Sequence, residues 1–63
     1  MEAHPEIIAL ERMATDASLN MTQVLTAAEV NPSTWYRWRR HGMEPKLRTL
    51  RRVEAAIREA VAQ

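Results

Sequence analysis

The sequence predicts an all-α fold, four helices packed into one small domain. Three observations lead there. Ala, Leu, Glu, Arg and Met are abundant, phenylalanine is absent and glycine occurs once, a composition that favours helix over strand. Apolar residues recur at three- and four-residue steps, and no stretch sustains a period of two. Capping residues and helix breakers divide the chain into segments of helical length.

Pro5 suits the first turn of a helix, where a missing N–H costs nothing, and Glu6 follows at the positive end of the helix dipole. Ile7, Leu10, Ala14 and Ala17 recur at helical spacing, with Ile8 and Met13 widening the stripe. The first helix is therefore expected over Pro5–Asp16, with its exit between Asp16 and Leu19. Asn20 can then cap the N–H groups of Thr22 or Gln23, and Gln23 stands where a capping box places it. Leu19 and Val24 form the pair expected of a hydrophobic staple. Val24, Leu25 and Ala28 give this second helix a short apolar face, and it cannot pass Glu29, because Asn31-Pro32 is another start signal. The third helix runs from Pro32 to His41, separated from the second by a turn of about three residues, and Gly42 stops it. Met43 and Glu44 form a connector. Pro45 is expected to open the last helix, in which Leu47, Leu50, Val53, Ile57, Ala60 and Val61 make an amphipathic stripe.

Residues 1–63 make a single domain, and a chain this short buries only roughly 60% of its unfolded surface. There is no cysteine, and His4 and His41 stand far apart with no carboxylate at ligand spacing. No metal and no cofactor is expected. Nor is an enzyme: no nucleophile–base pair and no phosphate-cradling glycine loop is present. Apolar runs are too short for a membrane-spanning helix or a secretory signal, so the expectation is a cytoplasmic protein without a membrane partner.

Charge is distributed unevenly. Residues 31–52 hold seven Arg or Lys against one acid, Glu44, a local balance of +6. The first 30 residues carry five acids against Arg12, a net of −4. The basic block also contains both tryptophans and the only tyrosine. Clustered cations attract polyanions through counterion release, and duplex DNA is the commonest such partner.

Two short helices joined by a tight turn, the second beginning polar and ending basic, form a helix-turn-helix arrangement. On a wheel of ~100° per residue with Trp35 at the origin, Trp38 falls near 300°, about 60° away. Tyr36, Arg40, Ser33 and Arg37 fall between about 100° and 200°, and Arg39 lies on the border near 40°. The third helix thus separates an aromatic face for the core from a face of hydroxyls and guanidiniums. Arginine can grip guanine O6 and N7 with two parallel bonds, while Ser and Tyr can serve bases or phosphates.

From Leu19 to about Ile57 the chain resembles the lambda-repressor-like family, which includes phage Cro and CI repressors and bacterial regulators of the XRE type. The likeness is carried by Leu19-Asn20-Met21, by Val30-Asn31-Pro32-Ser33-Thr34 and by Trp38-Arg39-Arg40-His41-Gly42, with Thr49-Leu50 and Val53 to Ile57 similar to the family's fourth helix. Ser33 to Leu50 is also similar to CII-type phage activators. The resemblance implies that Asn31, Pro32, Ser33, Tyr36, Arg37 and Arg40 face DNA while Leu25, Val30, Trp35 and Trp38 pack inside. The family has glycine at the position of Glu29 and alanine at that of Leu25, which implies either helices set further apart here or a variant turn.

The expected function is sequence-specific binding of a double-stranded DNA operator by a Cro-like transcriptional regulator of phage or prophage type, a repressor or an activator. The recognition helix is Pro32–His41. Lys46 and Arg48, near the start of the last helix, are placed to reach flanking phosphates; Asn20 and Thr22, with the N–H groups of the second helix, can hold another. Arg51 or Arg52 fits a charge pair with the acids between Glu54 and Glu59. Leu47 and Leu50 are expected to close the core, leaving Ile57, Ala60 and Val61 as a self-complementary patch for a homodimer through the C-terminal helix. Packing of that end against Ile7, Ile8 and Leu10 is the monomeric counterpart. The alternative function is a small adaptor or antirepressor that uses the same scaffold to grip a protein.

Overall fold

A computed structural model describes residues 4–42 and 44–62, and Met43 of the expected connector lies outside them. The helices are α1 (Pro5–Asp16), α2 (Met21–Ala27), α3 (Pro32–His41) and α4 (Leu47–Ala62), with no strand among the described residues. Their starts follow local capping chemistry. The Asn20 side chain accepts from the N–H groups of Thr22 at 2.8 Å and Gln23 at 3.4 Å, and Asn31 accepts from Ser33 at 2.8 Å. His4 plays the same part for α1, its Nδ1 accepting from Glu6 at 3.2 Å.

The ends of α1 and α2 share one geometry. Ser18 and Glu29 both take a left-handed conformation with φ of 60°. After them, Leu19 N–H bonds to the Ala14 carbonyl and Val30 N–H to the Leu25 carbonyl, each at 2.8 Å. Bonds from Ser18 N–H to the Thr15 carbonyl at 2.9 Å and from Glu29 N–H to the Thr26 carbonyl at 3.1 Å complete a Schellman closure at both helix ends. Glycine is the usual residue in that position; here a serine and a glutamate hold it, and α3 alone ends on glycine, Gly42 with φ of 64°. Glu29 therefore adopts the conformation that a glycine would, within a four-residue connection, Ala28–Asn31, rather than three.

Between the helices lies one core of Ile7, Leu10 and Ala14 from α1, Val24, Leu25, Ala28 and Val30 from α2 and its turn, Trp35 from α3, and Leu50, Val53 and Ile57 from α4. Leu25 and Trp35 are both fully buried, so the larger side chain at position 25 is accommodated. The long α4 packs across α1 and α2, which also touch each other, and α3 packs against α2.

Four expectations are corrected. Pro45 does not open α4: it is buried ahead of the helix, which starts at Leu47 with the Lys46 carbonyl accepting from Leu50 N–H. Leu47 does not close the core but is 59% exposed, whereas Ile57, expected on an outer patch, is 1% exposed. Ile57 joins Ile7, Leu10 and Ala14 of α1 in the core, whereas Leu47 lines an open groove with Glu6, Ala9, Leu10 and Met13 of α1. Trp38 is only partly buried, packed on the edge of the core beside Trp35. Arg52 pairs with Glu29 across the turn at 3.8 Å, and the pair within α4 is Glu54 with Arg58 at 3.4 Å. Among the described residues no helix is long and apolar enough to cross a membrane.

Candidate nucleic-acid interface

α3 is fixed from beneath by its two tryptophans. Trp35 is fully buried, and its ring centroid lies 6.4 Å from that of Trp38 with the planes tilted by 53°, a spacing typical of favourable aromatic pairs. The buried indole N–H donates to Glu11 Oε2 of α1 at 3.1 Å, so burying Trp35 strands no donor. The other oxygen of the same carboxylate lies 3.3 Å from Arg39 Nε. One side chain of α1 thus grips two positions a helical turn apart on α3, and with the burial of Trp35 in the core this sets how α3 rolls about its axis.

That roll turns the opposite face outward. Ser33, Tyr36, Arg37, Arg40 and His41 line a single shallow, open dish of about 320 Å³. Tyr36, Arg37 and Arg40 are all exposed. No acid lines the dish, and among the described residues neither Arg37 nor Arg40 forms an ion pair. A guanidinium without a carboxylate partner keeps its donors for an external acceptor, and two of them flanking hydroxyls form a surface for phosphates or base edges.

The structure thus brings four of the expected site residues into one place: Ser33, Tyr36, Arg37 and Arg40. It adds His41, which the sequence marks only as the end of the third helix and a poor metal ligand; its position four residues after Arg37 was the available signal. Asn31 and Pro32 stand at the start of the same helix, where the Asn31 oxygen is occupied as a cap. Asn20 is occupied likewise at α2, and Thr22 beside it is exposed, its carbonyl accepting from Thr26 Oγ1 at 2.9 Å. Lys46 and Arg48 are exposed but do not line the dish; Arg48 instead shares a trough on α4 with Leu47, Arg51, Arg52 and Ala55. No group of three or more potential metal ligands occurs among the described residues.

No known protein family, curated protein or solved structure matches the chain.

Proposed function

We propose that this chain is a sequence-specific DNA-binding regulator of the helix-turn-helix kind, a cytoplasmic protein that lays α3 in the major groove of a duplex operator. One observation carries the reading. The side chains that could read bases, Ser33, Tyr36, Arg37 and Arg40, share one open dish, and no carboxylate opposes their charge there. A merely solvated face would gain from intrahelical acid–base pairs such as the one Glu54 and Arg58 form on α4; α3 has no acid at all.

On this reading Arg37 and Arg40 contact base edges or the phosphates beside them, and Tyr36 and Ser33 add hydroxyl contacts. The N–H groups at the start of α2, with Asn20 and Thr22, hold a backbone phosphate, and Lys46 and Arg48 reach a flanking one. These backbone contacts fix register without reading sequence. A homodimer through the outer side of α4, where Leu47 and Val61 are exposed, would set two copies of α3 one DNA turn apart, ~34 Å.

Selection of bound duplexes from a random pool tests the reading, followed by salt titrations on the selected duplex and on a structured RNA. The expected result is an enriched motif, with binding that weakens steeply as salt rises. A pool that enriches no motif refutes sequence-specific reading. Binding to a protein partner with no duplex affinity would establish the adaptor function in its place.

A further inference from the structure

We propose that Glu11 is a positioning residue that holds the Arg39 guanidinium back against α1 and off the nucleic acid, so that α3 presents only its reading face to DNA. The inference rests on the DNA-binding reading above and assigns part of its selectivity to a residue outside the interface.

On α3, Arg39 is the one cation engaged by a carboxylate: its Nε lies 3.3 Å from Glu11 Oε1, while Arg37 and Arg40 pair with no acid among the described residues. The two partners differ in exposure and in how they are held. The Glu11 side chain is 21% exposed and is also fixed through Oε2 by the Trp35 indole N–H at 3.1 Å; that of Arg39 is 56% exposed. The anchor is therefore the carboxylate, and the guanidinium is the part that would move if released. Arg39 sits on the border between the aromatic and polar faces of α3, near 40° on a wheel of ~100° per residue where Tyr36 lies near 100°. A freed guanidinium there can swing to the edge of the reading face and meet a phosphate. Such a contact adds affinity for every duplex alike, because phosphates carry no sequence information. Sequestering it lowers non-specific binding and leaves Arg37 and Arg40 as the cations of the reading face.

Glu11→Gln separates the two duties of the carboxylate. The amide oxygen still accepts from Trp35, so the buried donor stays satisfied, but the ionic hold on Arg39 is lost. Binding to a random-sequence duplex is measured by fluorescence anisotropy across a salt series for wild type, Glu11→Gln, Arg39→Gln and the double variant, with circular dichroism confirming helix content. The plot of log affinity against log salt should steepen by ~0.9 in Glu11→Gln, one more neutralised phosphate, or about 3.5-fold in affinity over a fourfold change in salt. Arg39→Gln should keep the wild-type slope, and the double variant should return to it. On the selected operator Glu11→Gln should show a smaller ratio of specific to non-specific affinity.

An unchanged slope in a folded Glu11→Gln overturns the proposal. So does a raised slope that persists in the double variant, because the effect is then the lost acid alone. A slope flattened by about one unit in Arg39→Gln overturns it too, since Arg39 would then already touch phosphate. If Glu11→Gln does not fold, Arg39→Gln decides by itself: the wild-type slope supports the proposal and a flattened one ends it. A wild-type protein that binds no duplex at any salt refutes the DNA-binding reading instead, a result distinguishable from all of these.

Discussion

Replacing Glu29 by glycine should make the domain more stable, although it removes an ion pair. Glu29 is held at φ of 60°, and a left-handed conformation costs an L-residue with a Cβ about 1–2 kcal/mol. Glycine removes that cost but brings a looser unfolded chain, worth about 0.4–1 kcal/mol in the opposite sense. The partner that would be lost, Arg52, lies 3.8 Å away from a Glu29 side chain that is 84% exposed; a pair so solvated contributes only about 0–0.5 kcal/mol. Mid-range values put Glu29→Gly about 0.5 kcal/mol above wild type. Glu29→Ala isolates the ion pair, because alanine keeps the backbone cost. The Gly variant should therefore exceed the Ala variant by about 0.8 kcal/mol. In a domain of this size that is about 5 °C in Tm. Thermal melts followed by circular dichroism at 222 nm (the usual helix signal) measure the difference directly. A Gly variant that melts at or below the Ala variant would refute the left-handed turn at Glu29, and with it the closure that positions α3 on α2.

Arg37→Ala and Arg40→Ala should leave helix content unchanged and weaken operator binding, by about 1–3 kcal/mol for whichever makes a bidentate guanine contact; anisotropy with wild-type affinity and selectivity in both would remove α3 as the reading helix. Trp35→Ala should abolish folding, since losing a buried tryptophan costs about 3–5 kcal/mol in a domain whose whole stability is about 3–9 kcal/mol. Trp38→Ala, at the core's edge, should still melt cooperatively at a lower Tm, and the reverse order of the two would make Trp38 the anchor. Ile57→Asp should unfold the chain because it buries a charge. Val61→Asp, at a side chain 61% exposed, should instead keep the fold and weaken self-association. Sedimentation of Val61→Asp indistinguishable from wild type at high concentration would take the outer end of α4 out of any dimer.

What the sequence disclosed is what short-range chemistry decides. Asn20, Asn31-Pro32 and Gly42 mark helix ends because a cap bonds only two or three residues away, and those ends stand where they were expected. The division of α3 into a Trp35 face and a Ser33, Tyr36, Arg37, Arg40 face is equally local, since helical periodicity alone fixes it. No glycine in this chain marks positions 18 and 29 as left-handed. The cause is the apolar residue after each, Leu19 and Val30, which returns to the core and closes a bond five residues back. An apolar pair five apart across a helix end, Ala14 with Leu19 and Leu25 with Val30, was the sign to read. The stripe on α4 was visible too, but which part of it is covered is decided by tertiary packing, and Leu47 and Ile57 exchanged their expected places.

The uneven charge takes on a second meaning once the fold is known. The acidic first half of the chain does more than balance the basic block. Two of its carboxylates, Glu11 and Glu29, pair with two cations of that block, Arg39 and Arg52, and both pairs join different parts of the fold. Among the described residues Arg37, Arg40, Lys46, Arg48 and Arg51 are left without an acid. The pairing therefore sorts the cations. Arg39 is drawn back to α1 and Arg52 to the turn between α2 and α3, while the two guanidiniums in the dish stay open to solvent. Composition alone gives one diffuse positive block. Long-range pairing, across separations of 28 residues for Glu11–Arg39 and 23 for Glu29–Arg52, withdraws two of its seven cations and, among the described residues, leaves both guanidiniums of the dish without an acid, beside hydroxyls and a histidine.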